Sequence, residues 1–186
     1  MTRTLSRPAA GLILALLATA AANAQTPPQP PQDQVDALAS LSRWVGEWEG
    51  DGRTGAGEGS RPFHVRQSVG SRLGGTLFVL EAHGTTVLAE GEDPVPIYDA
   101  LSLLYWDSGA GGYRLATHTA AGRHGVVDLT VLEDGRLQWG FDTADGEVRF
   151  LDTIDGDRWT ETGEVSTDGT TWTRFHSMEL TRLGDD

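Results

Sequence analysis

The chain has 186 residues, with 14 basic and 27 acidic side chains, a formal net charge of −13 and no cysteine. A surface of that sign repels phosphate backbones and anionic lipid, and no basic stripe interleaved with aromatics opposes it, so nucleic acid is excluded as a partner class. Without disulfides, stability must come from a hydrophobic core, which one domain of about 150 residues can build.

Residues 1–24 combine Arg3 and Arg7 with an apolar run from Ala9 to Ala22 and end in Ala22-Asn23-Ala24. This is the pattern of a secretory signal peptide cut between Ala24 and Gln25, and it implies a periplasmic or secreted protein. The apolar run falls short of the roughly 20 residues of a membrane-spanning helix, and there is no cysteine to carry a lipid. Cleavage leaves 12 basic against 27 acidic side chains, a net charge of −15. Residues 25–34, with Pro27-Pro28 and Pro30-Pro31, read as an extended, disordered spacer, and residues 35–186 as the folded domain.

Asp33 can cap a short helix whose apolar positions Val35, Leu38 and Leu41 fall at helical spacing and which ends near Arg43-Trp44. From there the pattern predicts about ten strands, near 44–53, 61–70, 75–83, 97–107, 112–120, 124–133, 136–142, 146–154, 158–166 and 170–182. Four Asp-Gly pairs, at 134–135, 145–146, 155–156 and 168–169, punctuate the last third at hairpin spacing. Residues 84–96 form the one long connection, placed over an end of the sheet. So many sequential antiparallel strands leave unprotected edges unless the sheet closes, so the expected fold is all-β: a single closed or nearly closed up-and-down barrel with a short N-terminal helix. An immunoglobulin-type sandwich would need long crossovers that the tight turns do not offer. An outer-membrane barrel would place Thr173, Ser177, Glu179 and Thr181 in lipid.

The first strand opens with Trp44-Val-Gly46-Glu-Trp48-Glu-Gly50-Asp-Gly52. This Gly-x-Trp after a short helix resembles the opening of calycin proteins, the lipocalin-like superfamily. The run from Asp155 to Trp172 is similar to exported bacterial lipocalin-like proteins of unknown function. The resemblance implies that Gly46 and Trp48 are structural, that Trp48 plugs the closed end of the barrel, and that Arg182 or Arg174 covers it with a cation–π contact.

In the last strand, alternation puts Trp172, Arg174, His176, Met178 and Leu180 on the more apolar face, expected to line the interior. Arg174 and His176 are the expected polar anchors of a small, mostly apolar ligand, with Tyr105, Trp139, Trp159 and Met178 as its walls. The competing reading has both polar groups satisfied inside a filled interior. His176 also sits where nitrobindin-type calycins hold haem, a resemblance that makes haem a possible cofactor.

The other histidines, His64, His83, His118 and His124, have no zinc-type spacing, although His118 and His124 should meet across a hairpin. No Gly-x-Ser-x-Gly elbow occurs, and nothing else argues for an enzyme beyond the isomerases that lipocalin-like barrels occasionally host. Glu47 with Glu49, and Asp155 with Asp157, read as exposed pairs, while Asp128 and Glu161 read as isolated inward carboxylates. The leading expectation is an exported ligand-binding barrel. The alternative is an envelope interaction or structural module with a filled interior.

Overall fold

The computed structural model describes residues 29–184, so the expected signal peptide (1–24) and residues 25–28 of the expected spacer lie outside the described residues. Helix α1 (Gln32–Ala39) and a short 3-10 turn (Ser42–Trp44) precede ten strands. These are β1 (Gly46–Thr54), β2 (Arg61–Arg72), β3 (Leu77–Thr86), β4 (Val95–Asp107) and β5 (Gly112–Thr119). The second half supplies β6 (His124–Val131), β7 (Leu137–Thr143), β8 (Gly146–Asp155), β9 (Arg158–Ser166) and β10 (Thr173–Arg182). Each strand pairs antiparallel with its neighbours in sequence, and β10 pairs with β1, so the sheet closes into a barrel and has no free edge.

All ten expected strands are present. The glycines of the four Asp-Gly pairs all take positive φ, the conformation that two-residue hairpin turns demand of their second residue. The last strand starts at Thr173 rather than 170, because Asp168 holds the preceding residues in a turn. Its Oδ1 accepts the backbone N–H groups of Thr170 (2.8 Å) and Thr171 (2.7 Å), and these bonds hold its carboxyl well below the usual range. The connection expected over 84–96 narrows to 87–94, because β3 and β4 extend toward each other across a register shift at Gly84/Thr85. The helix begins at Gln32, inside the stretch read as spacer, with Pro31 as its N-terminal neighbour. Asp33 lies in its first turn and accepts a hydrogen bond from Ser108 Oγ instead of capping. Among the described residues no helix is long and apolar enough to cross a membrane.

One end of the barrel is sealed by the segment that precedes β1. Leu38, Leu41 and Trp44 are buried there, and Tyr113 ties the helix down by donating to the carbonyl of Ala37 at 2.8 Å. Trp48 is fully buried beneath them, its indole N–H donating to the carbonyl of Trp44 at 3.0 Å. Of the two arginines the resemblance offered, Arg182 covers it. Its guanidinium carbon lies 4.0 Å from the Trp48 ring centroid and its nitrogens donate to the carbonyls of Val45 (2.5 Å) and Arg43 (2.7 Å). Gly46 has φ +143°, and a Cβ at that position would run into the same guanidinium, so both backbone and space require glycine.

The outer wall carries ion pairs. Glu49 meets His64 and Arg66, Arg158 meets Glu179, and Arg149 meets Glu164 while stacking 3.8 Å over the Trp172 ring. Asp128, expected inside, is paired with Arg114 on this outer wall.

Candidate site in the barrel interior

Strand parity decides what enters the barrel. In β8, Phe150, Asp152 and Ile154 share a face; in β9, Trp159, Glu161 and Gly163 share one; and the register pairs Asp152 with Glu161. The two carboxyls therefore come from adjacent strands and meet side by side in the interior. Asp152 is 2% exposed and accepts indole N–H bonds on both oxygens, from Trp159 Nε1 at 2.8 Å and Trp139 Nε1 at 3.0 Å. The Glu161 side chain is 13% exposed and shares a hydrogen bond with Asp152.

Two buried carboxylates side by side cannot both stay charged. Burial pushes the carboxyl of Asp152 well above its ordinary value, and the neighbouring charge of Glu161 adds to this. Burial likewise pushes Glu161 up to about 7. The pair therefore holds one proton at neutral pH. Two indole donors stabilise negative charge on Asp152, whereas Glu161 has no indole donor.

On the far side of Glu161 stands His176, with Nε2 at 3.0 Å from Glu161 Oε1 but out of line for a hydrogen bond. Its imidazole stacks on Phe63 at 5.3 Å between centroids and meets Phe150 edge-on. This apolar enclosure lowers its affinity for a proton, so it is neutral at pH 7. Tyr98 completes the ring of titratable groups. It is 46% exposed as a residue, yet its hydroxyl is the sheltered end, and burial together with the charge of Glu161 raises it to about 12.

Asp152, Glu161 and Tyr98 border a cavity of about 70 Å³ in the barrel interior. Its walls include Trp44, Tyr98, Trp139 and Trp159, with Asp152 and Glu161 as the charged residues among its lining. Trp44 is 4% exposed, and its indole Nε1–H finds no acceptor among the described residues. A larger, open depression of about 380 Å³ spans β1, β9 and β10, but charged and polar side chains such as Asp51, Arg53 and Glu179 border it and solvent reaches it freely. The chemistry lies inside.

Of the residues expected to hold a ligand, Trp139 and Trp159 line this cavity and His176 and Met178 point inward beside it. Arg174 and Tyr105 do not. The register of β10 against β9 jumps between Arg174 and His176, a bulge that inserts Phe175 and breaks the alternation, so Arg174 and Trp172 face outward. Gly163 permits this, since a Cβ there would strike His176, Phe150 and Phe175. Tyr105 belongs to the outward parity of β4, opposite to Ala100, Ser102 and Leu104. Sequence reasoning missed Asp152 altogether and took Glu161 for a lone carboxylate. Their signal was period-two spacing from Ile154 and Trp159.

The surroundings of His176 do not fit a haem. Phenylalanines close on its ring, its Nε2 faces Glu161, and the cavity is far below the roughly 300 Å³ at which ordinary cofactor sites begin. His118 and His124 stack across the β5–β6 hairpin at 5.7 Å, as the spacing suggested, on the exposed outer side.

The sequence matches no family model and no curated protein. Among solved structures the chain is similar to Rv2717c from M. tuberculosis, at 17% identity and a TM-score of 0.58, covering 80% of this chain and 98% of that one. It is also similar to the S-type phycobiliprotein lyase CPES from Guillardia theta, at 12% identity and a TM-score of 0.57, covering 86% of this chain and all of the other. The likeness is one of fold. Any function has to be argued from the site.

Proposed function

We propose that the protein is an exported, calycin-like barrel that binds a small, mostly apolar molecule in its interior. One observation carries this reading: a cavity in the barrel interior is bordered by apolar and aromatic walls and a buried carboxyl pair, and one wall residue, Trp44, has an indole N–H unpaired among the described residues. A buried donor left unpaired costs about 1–3 kcal/mol, so a guest that accepts from Trp44 stabilises the protein. Apolar walls with a few convergent polar groups are the common make-up of ligand sites. A phycobiliprotein lyase of similar fold supports the reading by analogy only. Export rests on the leader pattern of residues 1–24.

A second reading is favoured by the size of the cavity. At about 70 Å³ it is small beside typical ligand sites, as expected of a filled barrel that serves as an envelope interaction module. Native mass spectrometry of the protein purified from a bacterial envelope separates the two. A bound mass that is lost on unfolding supports the binding protein. A bare mass, with the tryptophan indole resonances unmoved by a small-molecule panel, supports the filled module.

A further inference from the structure

The charge inside the barrel is the reverse of the one expected from the sequence. An inward Arg174 would have made the cavity a receptor for a carboxylate, but Arg174 faces out and the cavity lining holds two carboxyls and no cationic side chain. We propose that the interior takes a small organic monocation, a short aliphatic amine, with Asp152 and Glu161 as its counter-charge and Trp44, Trp139 and Tyr98 as its walls. This rests on the binding reading above and narrows it to a ligand class.

Three independent features converge on that class. An ammonium group leaving water needs compensation, and a buried carboxylate supplies it. Aromatic faces add to it, because the ring quadrupole attracts cations, and four of the cavity's wall residues are aromatic. Trp44, one of the aromatic walls, is 4% exposed and its Nε1–H is unpaired among the described residues. Trp44 packs edge-on against Trp159 at 4.5 Å, and Trp159 in turn donates to Asp152, so the orphan donor lies one ring away from the carboxyl pair. The cavity of about 70 Å³ limits the guest to a few heavy atoms. The net charge of −13 draws cations toward the protein from a distance.

A cation entering this site meets a pair that already holds a proton. The single negative charge that remains on the pair balances one ammonium, so a monocation needs no proton to leave. The groups that face Glu161 are Asp152 from β8, His176 from β10 and Tyr98 from β4, and none brings a positive charge at pH 7.

The test compares three probes of nearly equal size on the full chain: ethanolamine, ethylene glycol and glycolate. Binding is followed through the tryptophan indole N–H resonances. The expected result is saturable binding of ethanolamine at least tenfold tighter than either other probe, with movement of the indole resonances of the wall tryptophans. In Glu161→Gln the preference for the amine over the glycol should drop at least tenfold. Glycol or glycolate binding as well as the amine overturns the cation class while leaving an interior binding site. Indole resonances unmoved by all three overturn the amine class, while a mass bound to the protein purified from the envelope would leave the binding reading standing. The comparison on the unmutated protein stands even if the variant fails to fold.

Discussion

Glu161→Gln gives the sharpest test of the buried carboxyl pair. The folded protein keeps a proton on Glu161 up to about pH 7, whereas an unfolded glutamate releases it near 4.5. Its folded pKa is raised, so the contribution to stability is fully present below pH 4.5 and is lost as the pH rises through 7. The interval corresponds to roughly 3 kcal/mol, most of which falls between pH 5 and pH 8. A glutamine amide reproduces the protonated acid, since it donates to Asp152 at every pH. The quantity to measure is therefore the stability of the variant minus that of the unmutated protein, from urea unfolding at both pH values. It should rise by roughly 2–3 kcal/mol from pH 5 to pH 8, and taking the difference cancels the opposing trend from neutral, buried His176. A difference that is the same at both pH values would mean that Glu161 is already ionised in the native state at pH 5, and the shared-proton account would fall.

The other expectations are simpler. Asp152→Asn should be far worse than Glu161→Gln, by about 2–4 kcal/mol in chemical unfolding, because an amide nitrogen would face an indole N–H. Equal tolerance of the two substitutions would place the charge on Glu161 instead. Arg182→Met keeps the length of the side chain but strips the cation from Trp48 and orphans two carbonyls, and should cost about 2–4 kcal/mol in the same assay. Gly163→Val should destabilise the barrel and alter the indole resonances of Trp139 and Trp159, since the added carbons meet His176 and Phe150. An unchanged spectrum and stability would show that the bulge does not depend on that glycine.

Local rules made most of the scaffold legible. The Asp-Gly pairs set the hairpins, short turns forced antiparallel neighbours, and edge protection forced closure. The Gly46-x-Trp48 motif led to Arg182 as one of two candidates, and its place one strand pair from Trp48 decided between them. Simple alternation failed where the backbone departs from period two. The bulge at Phe175 carried Arg174 to the outside while leaving His176 inside. For Tyr105 the difficulty was different: Leu101, Leu103, Leu104, Tyr105 and Trp106 place apolar groups on both faces of β4, so hydrophobicity gave no parity. The carboxyl pair was hidden because its halves belong to different strands. Asp152 becomes half of a pair only once β8 and β9 are set in register.

Closure also has a kinetic side. β1 emerges first in synthesis and β10 last, yet each is the other's neighbour, and Val45 and Arg182, joined by a hydrogen bond, lie 137 positions apart in the chain. The hairpins between β2 and β9 can form in sequence, but the seam waits for the final strand. Until then β1 presents an unpaired edge, and Trp48 lacks its cover. The last ten residues before Leu183 thus act as a latch, and a chain truncated ahead of them keeps nine strands with an open, adhesive side.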